Sequence, residues 1–162
     1  MKLFKVFVIM MAVISVSLTA CKKDENDDDD NGGSLNGGGS MTLKYDGNDF
    51  SATLAVQAVN ENGVINVTGS DGDARQASLV LFGTSGPGTY TIGAAYPQNL
   101  CTWTEGTNAA QTFTASFVIG SGTVTITELT DSKIKGTFEF TAVNTNQETR
   151  TITDGSFEAN FN

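Results

Sequence analysis

The strongest constraint on the fold of this chain is a regular alternation of apolar and polar residues that recurs between residues 41 and 162. From Ile134 to Ala142, every second residue is apolar or glycine, and lysine, threonine and glutamate occupy the positions between. Successive side chains of a β-strand point to opposite faces, so this period indicates strands with one buried face. With many β-branched and aromatic residues, the same alternation runs through 50–58, 113–119, 123–127, 133–142 and 156–161. No helical period follows residue 21, and the sequence predicts an all-β domain.

Short turn signals separate these stretches. Asn62-Gly63 and Asp154-Gly155 adopt positive φ at little cost, and each predicts a two-residue hairpin. The run 79–82 is apolar without alternation, which indicates a strand covered on both faces. We therefore expect about nine or ten antiparallel strands in a single β-sandwich or barrel-like domain over residues 41–162. Both arrangements protect the sheet edges, and the pattern leaves the choice between them open.

The beginning of the chain predicts where the protein resides. Two lysines precede an apolar run at 6–16, and small residues follow, which is the layout of a secretory signal peptide over residues 1–20. This run is well short of the roughly 20 residues that span a bilayer as a helix. Residues 18–21, Leu-Thr-Ala-Cys, resemble a bacterial lipobox, which implies cleavage before Cys21 and acylation of that cysteine. We therefore expect Cys21 to anchor the protein to a membrane.

Residues 21–40 combine this cysteine with an acidic segment rich in glycine, asparagine and serine. Leu35 is the only apolar residue from 22 to 40, so we expect a flexible tether that buries almost nothing. The lysine, aspartate and glutamate residues directly after Cys21 resemble the export signal of Bacteroidota lipoproteins. That resemblance implies an outer-membrane lipoprotein exposed at the cell surface, with a periplasm-facing anchor as the alternative.

Several motifs of the β-domain occur together in a fixed order. They are Lys-Tyr-Asp-Gly at 44–47, Gly-Thr-Tyr-Thr-Ile at 88–92, Gly-Thr-Val-Thr-Ile-Thr at 122–127, Gly-Thr-Phe-Glu-Phe-Thr-Ala at 136–142 and Ile-Thr-Asp-Gly-Ser-Phe at 152–157. The ordered set resembles a family of small Bacteroidota lipoproteins of unknown function. The resemblance implies an all-β extracytoplasmic domain and transfers no activity. The segment 100–103, Leu-Cys-Thr-Trp, carries no mark of that family.

The charge of the domain argues against a nucleic acid partner. The whole chain has a formal net charge of −9 at pH 7. Residues 41–162 contain 5 lysine and arginine residues against 12 aspartate and glutamate residues, so their balance is 5 − 12 = −7. Phosphate binding requires clustered cations, which this composition does not provide. We interpret the acidic balance as a solubility feature.

Residue content also argues against most catalytic sites. The chain contains no histidine, which removes Ser-His and Cys-His nucleophile pairs and the usual catalytic zinc sites. A glycosidase site requires only two carboxylates. Among the twelve aspartate and glutamate residues of 41–162, two can lie near each other by chance, so such a pair alone would not indicate an enzyme. Asp71-Gly72-Asp73 offers oxygen ligands for calcium, although a plain turn explains it better. We expect a noncatalytic protein with no catalytic residues, metal or cofactor.

Three residues between 96 and 103 are the remaining candidates. Cys101 has no intramolecular partner if Cys21 is lipidated, so it is either a buried core residue or a reactive thiol, and burial is the commoner outcome. Tyr96 and Trp103 lie in the least regular segment and are candidate ligand-binding residues that could stack on a sugar. The alternative is that Trp103 belongs to the core.

Three functions are compatible with this sequence. The leading hypothesis is a lipid-anchored binding or adhesion module that presents loops to a glycan or protein. The second is a carrier of a small hydrophobic ligand in a lipocalin-like barrel, for which small residues such as Ala58 and Gly136 would leave room. The third is a structural component of the envelope.

Overall fold

A computed structural model describes residues 38–162. The predicted signal peptide, the lipidation of Cys21 and most of the predicted tether lie outside the described residues. The described part contains eleven β-strands and one short 3-10 turn at Ala109–Gln111. The strands are β1 (Ser40–Tyr45), β2 (Asn48–Ser51), β3 (Ala55–Glu61), β4 (Val64–Ser70), β5 (Arg75–Phe82), β6 (Gly88–Ile92), β7 (Leu100–Glu105), β8 (Thr112–Ala115), β9 (Ser121–Leu129), β10 (Lys133–Val143) and β11 (Thr149–Asn160). The prediction of an all-β domain is confirmed, with one more strand than the upper expected number.

The strands form one antiparallel sheet in the order β2-β1-β11-β10-β8-β7-β5-β4-β3, with β9 also paired to β10 and β6 paired to β9. The sheet curls into a half-barrel, which is the barrel-like alternative of the sequence prediction. β3, at the end of this strand order, contacts the C-terminal residues of the chain. Ala58 of β3 forms a parallel bridge with Phe161, and the Ala58 carbonyl accepts a hydrogen bond from the Asn162 N–H at 3.1 Å. This curvature gives the sheet one enclosed face.

One predicted hairpin is confirmed and the other is wrong. Asn62 and Gly63 have φ values of 53° and 79° and connect β3 to β4, as positive-φ residues of a tight turn do. Asp154-Gly155 lies inside the continuous strand β11, where Asp154 has a φ of 52° and the register with β10 shifts. A bulge uses the same positive-φ geometry as a hairpin turn, so the dipeptide alone did not distinguish them.

The predicted strand 50–58 is divided in two. β2 ends at Ser51 and pairs with β1, whereas β3 begins at Ala55 and pairs with β4. Leu54, which alternation placed on the buried face, lies in the connection with 45% of its side chain exposed. The alternation continues across a point where the chain leaves one partner strand for another.

The enclosed face holds one apolar core. The Trp103 ring lies 4.9 Å from the ring of Tyr45 and 5.0 Å from that of Phe50 between centroids, and the latter pair is edge-to-face. Each fully buried large apolar side chain contributes about 1.5–3 kcal/mol to folding. In the described residues, the buried apolar side chains from Met41 to Ala159 form a single core cluster, so residues 38–162 have the packing of one folded domain.

None of the helical structure in residues 38–162 is long and apolar enough to cross a membrane.

Candidate functional site

Two loops leave the sheet side by side. They are the β6–β7 loop, residues 93–99, and the β8–β9 loop, residues 116–120, which we call together the loop pair. The strands before and after them are paired, since Ile92 lies opposite Gly122 and Cys101 lies opposite Ala115. Both loops therefore emerge from neighbouring strands at the same level of the sheet.

The register with β10 shows that the β8–β9 loop is a true excursion. On β10, Thr141 pairs with Ser121 and Val143 pairs with Thr114. The two paired positions on β10 are 143 − 141 = 2 residues apart. Their partners on β8 and β9 are 121 − 114 = 7 residues apart. The five additional residues have no place in the ladder and project out of the sheet.

The β8–β9 loop is a small, tightly hydrogen-bonded turn. Ser116 N–H donates to the Ile119 carbonyl at 2.6 Å, and Ile119 N–H donates to the Ser116 carbonyl at 3.3 Å. The Val118 N–H donates to Ser116 Oγ at 3.3 Å. Phe117 and Val118 thereby form the tip of a two-residue hairpin whose backbone is mostly satisfied within the loop.

A glycine closes this turn. Gly120 has a φ of 74°, a conformation that residues with a β-carbon rarely adopt. A β-carbon at this position would lie 2.4 Å from the Thr141 carbonyl oxygen and 2.9 Å from Ala115 Cα. Glycine therefore lets the chain return close to β10 after the tip.

The β6–β7 loop is held by one buried side chain. Asn99 is 1% exposed; its Oδ1 accepts a hydrogen bond from Phe82 N–H at 2.9 Å, and its Nδ2 donates to the Thr91 carbonyl at 3.0 Å. The Asn99 N–H also donates to the Pro97 carbonyl at 3.0 Å. Asn99 thus joins the end of β5 to the end of β6 and fixes the base of the loop.

The loop pair presents a concentration of exposed apolar side chains. The exposed fractions are 90% for Tyr96, 48% for Phe117, 76% for Val118 and 40% for Ile119. An exposed aromatic ring supplies about 150–250 Å² when fully accessible, so the four side chains present on the order of 400–500 Å². The largest patches of monomeric proteins are about 300–600 Å² and are often functional.

The predicted strand 113–119 is therefore wrong beyond Ala115. Alternation placed Phe117 and Ile119 on the buried face with Phe113, which is 1% exposed. The ladder with β10 offers no positions for residues 116–120, so their side chains project outward even though the alternation continues. The structure thus adds Phe117, Val118 and Ile119 to the candidate residues. Their apolar character was visible in the sequence, but their exposure was not.

The two predicted aromatic candidates lie in different environments. Tyr96 is exposed in the loop pair, as a ligand-binding residue requires. Trp103 is fully buried, and its indole N–H donates to Glu105 Oε1 at 2.9 Å. The proposed role of Trp103 as an exposed stacking surface is therefore wrong, because its ring is enclosed by Tyr45 and Phe50.

Glu105 is the hydrogen-bond acceptor of the buried Trp103 indole. Its carboxylate also accepts hydrogen bonds from Arg150, from Nε at 2.7 Å and from the terminal guanidinium nitrogen Nη2 at 3.1 Å. Burial raises the pKa of Glu105, but the hydrogen bonds from Arg150 and Trp103 outweigh this effect, so the pKa lies below its ordinary value. The Arg150 guanidinium lies 4.5 Å from the centroid of the Phe113 ring. These contacts fasten β7 to β11 and serve the core.

Cys101 is buried in the core with no exposed surface. Burial raises the pKa of its thiol far above the ordinary value, because a thiolate is poorly solvated there. The structure favours the interpretation of Cys101 as a core residue, since a reactive thiol needs access and a lowered pKa.

Asp71 organises a turn between β4 and β5. Its Oδ1 accepts hydrogen bonds from the backbone N–H groups of Asp73 and Arg75, at 2.9 and 3.0 Å, and its Oδ2 pairs with the Arg75 guanidinium at 2.6 Å. These contacts engage both oxygens and agree with the prediction of a plain turn. Within residues 38–162, no group of three or more metal-binding side chains is present.

A second surface feature is a row of hydroxyl groups on the outer face of the sheet. Registers place six hydroxyl residues opposite one another across six strands, and the row has two internal contacts, between Thr89 and Thr125 at 3.2 Å and between Thr42 and Ser156 at 3.0 Å. An open depression of about 370 Å³ lies over its centre. The row consists of Thr89, Thr125, Thr137, Ser156, Thr42 and Ser51.

The fold places residues 38–162 among all-β domains built on one curled antiparallel sheet that forms a half-barrel. Residues 39–159 match the family described as a domain of unknown function, DUF6252, and the chain belongs to this family. The predicted membership of a family without assigned function agrees with this match. No curated protein and no solved structure matches the chain.

Proposed function

We propose that this protein is a lipid-anchored, noncatalytic binding module displayed at the cell surface of a Bacteroidota bacterium, and that the loop pair is its contact surface. The observation that carries the proposal is the exposure of Tyr96, Phe117, Val118 and Ile119 on two neighbouring loops. The lipid anchor at Cys21 and the surface location rest on the sequence alone.

The distribution of apolar exposure supports the loop pair as the contact surface. Seven large hydrophobic side chains are exposed in the described residues, and four of them belong to the loop pair. Single exposed apolar residues are ordinary, but several on neighbouring loops cost solvation free energy and are typical of an interaction site. The group lies on loops held by a rigid sheet, which is the usual arrangement of binding residues.

The interior supports a module more than a carrier. A β-carbon at Gly136 would lie 2.9 Å from Cζ of Phe157, so the space beside this small residue is filled by an aromatic ring. Trp103 occupies another part of the interior and contacts two more aromatic rings. A lipocalin-like carrier requires a vacant interior for its ligand.

The hydroxyl row favours a glycan as a second candidate ligand. A neutral polysaccharide could exchange hydrogen bonds with Thr125, Thr137 and Ser156 along the open depression. We expect the wild-type domain to bind a neutral glycan on an array. Thr137→Val should lower that binding at least about threefold, because it removes one hydrogen bond. Thr149→Val is the control, because Thr149 lies outside the row. Equal signals for both variants would remove this candidate.

The anchor and the location are tested in cells of a Bacteroidota host that express the full chain. Radioactive palmitate should label the wild type and leave Cys21→Ala unlabelled. Protease added to intact cells should then digest the domain as completely as it does in lysed cells. Absence of label contradicts the lipid anchor, and protection in intact cells contradicts surface display.

The contact surface is tested with a photo-crosslinking amino acid in the same cells. The probe replaces Val118 in the loop pair or Val59, an exposed valine of β3 that serves as the control. We expect an adduct with another molecule from position 118 and none from position 59. No adduct from either position, or equal adducts from both, would contradict the proposal. Native mass spectrometry of the purified domain should show no bound lipid, whereas a bound lipid would support the carrier.

A further inference from the structure

We infer that the loop pair inserts into the interfacial region of a lipid bilayer, with Phe117 and Val118 deepest. The bilayer is the one that carries the lipidated Cys21. This inference rests on the proposed function and names the partner of the proposed contact surface. Four observations lead to it, and they concern charge, backbone hydrogen bonding, area and reach.

The first observation is the absence of charge from the segment that bears the loops. Between Arg75 and Glu128, Glu105 is the only charged residue of the sequence. Glu105 is held by Arg150 and Trp103, away from the loop pair. No ionised side chain of the two loops would have to lose its hydration in the bilayer, where charged groups are costly.

The second observation is that the tip already satisfies most of its backbone donors. The N–H groups of Ser116, Val118 and Ile119 all donate within the loop. Backbone groups that enter hydrocarbon without a partner are unfavourable, which excludes most irregular loops from a membrane. The interfacial region is hydrated, so water there serves the backbone groups that the hairpin does not pair internally. Tyr96, with a phenolic hydroxyl on an apolar ring, is a residue type enriched at the membrane–water interface.

The third observation concerns area. The exposed apolar patch of the loop pair is on the order of 400–500 Å². At about 25 cal/mol per Å², transfer of this area out of water is worth on the order of 10 kcal/mol before the costs of ordering and desolvation, so shallow insertion requires no second attachment point.

The fourth observation is that the predicted anchor and the loop pair can contact the same bilayer. Ser40 lies at the level of Lys135 on β10, and the loop pair leaves the sheet beside Thr141, six residues further along. At about 3.3 Å per residue this separation is roughly 20 Å. From Cys21 to Gly38 there are 38 − 21 = 17 residue steps, which span at most about 60 Å. The connection is long enough for both points to be occupied together.

The charge of the domain gives the proposed contact a distinct signature. Residues 41–162 carry a net charge of −7, and the loop pair contains no lysine or arginine to attract anionic headgroups. Insertion should therefore occur on zwitterionic vesicles, and added salt should not weaken it. A contact made by basic residues would show the opposite salt dependence.

The experiment measures cosedimentation of residues 22–162, which contain the complete folded domain, with phosphatidylcholine vesicles. This chain lacks both the signal peptide and Cys21, so any binding comes from the domain. We expect saturable binding, a decrease of at least about tenfold in affinity for Val118→Asp and less than a twofold change for Val59→Asp. Far-ultraviolet circular dichroism and thermal midpoints verify that both variants are folded.

Three outcomes would overturn the inference. They are the absence of vesicle binding by the wild type, an equal effect of Val118→Asp and Val59→Asp, and a lipid-free dimer in sedimentation that Val118→Asp dissociates. The last outcome would assign the loop pair to a second copy of the chain. If vesicle binding fails while position 118 still gives a specific protein adduct in cells, the inference fails and the proposed function stands. If the adduct is also absent, both fail.

Discussion

Phe113 and Phe117 belong to the same alternating run of residues and have opposite fates. Phe113 lies on β8, is 1% exposed and contacts the Arg150 guanidinium. Phe117 lies four residues later in the same alternation and is 48% exposed at the tip of the β8–β9 loop. The side-chain pattern is the same at both positions. The difference is that β8 has partner strands and the residues after Ala115 have none.

The same contrast separates Trp103 from Tyr96. Trp103 lies on β7, which is paired on both sides, and its ring is enclosed by the core. Tyr96 lies in the β6–β7 loop and is 90% exposed. Aromatic residues within a few positions of one another thus differ in burial, and the proposed function assigns Trp103 to stability and Tyr96 to contact. Measurements of stability and of binding should separate in the same way.

The largest expected effect is on the stability of the core. Phe113→Ala should lower the free energy of unfolding by about 3–5 kcal/mol, because it removes a buried ring and leaves a cavity. Phe117→Ala is the matched variant and should lower it by only about 1 kcal/mol, because Phe117 is 48% exposed. Urea denaturation followed by circular dichroism measures both. Similar losses for the two variants would contradict the division into core and contact residues.

A smaller effect is expected at the base of the β6–β7 loop. Asn99→Ala should cost about 1–3 kcal/mol, since it leaves the buried Phe82 N–H and the Thr91 carbonyl without this partner. It should also increase hydrogen exchange of residues 93–99. Gln98→Ala, at an exposed neighbour, is the control and should change neither quantity. Unchanged exchange in Asn99→Ala would mean that Asn99 does not hold the loop.

Glu105→Gln should cost about 1–2 kcal/mol at pH 7, because it removes the charge that pairs with Arg150. The folded pKa of Glu105 is lowered, so its ionised form contributes stability above the unfolded pKa of about 4.3. That contribution is lost as the pH falls through the lower folded pKa. The difference between wild type and variant should therefore be full at neutral pH and shrink below about pH 4. A constant difference from pH 7 to pH 3 would contradict the assignment.

The smallest effect on stability is expected at the tip itself. Val118→Ser should change the free energy of unfolding by less than about 0.5 kcal/mol, because the side chain is 76% exposed. The same variant should weaken vesicle binding. A loss of stability above about 1 kcal/mol would show that Val118 packs within the domain, and its effect on binding would then have a different cause.

The sequence predicted the fold where side-chain alternation coincides with strand pairing. Ile134 to Ala142 alternates as expected and forms β10, and Asn62-Gly63 forms the expected hairpin. The predictions failed where pairing changes without a change in the pattern, at Leu54, at Asp154 and beyond Ala115. Strand partners depend on contacts between distant residues, which local periodicity does not record.

The candidate site was only partly visible in the sequence for the same reason. Tyr96 was identified because it lies beside a proline in an irregular segment. Phe117, Val118 and Ile119 were assigned to a strand, since apolar residues at alternate positions ordinarily face a core. The one signal in the sequence was Gly120 directly after them, which has positive φ and ends the loop. The role of Gly120 could be recognised only from the pairing with β10, which shows that residues 116–120 lie outside the ladder.

The most direct test of the account is the depth of the tip in a bilayer. Val118→Trp places a fluorophore at the tip, and Val59→Trp places the same fluorophore on β3 as a control, while buried Trp103 gives a constant background. With vesicles containing brominated phosphatidylcholine, the account predicts a blue shift and strong quenching for Val118→Trp and neither for Val59→Trp. Unquenched emission from position 118 at saturating lipid would contradict the claim that the loop pair contacts a membrane.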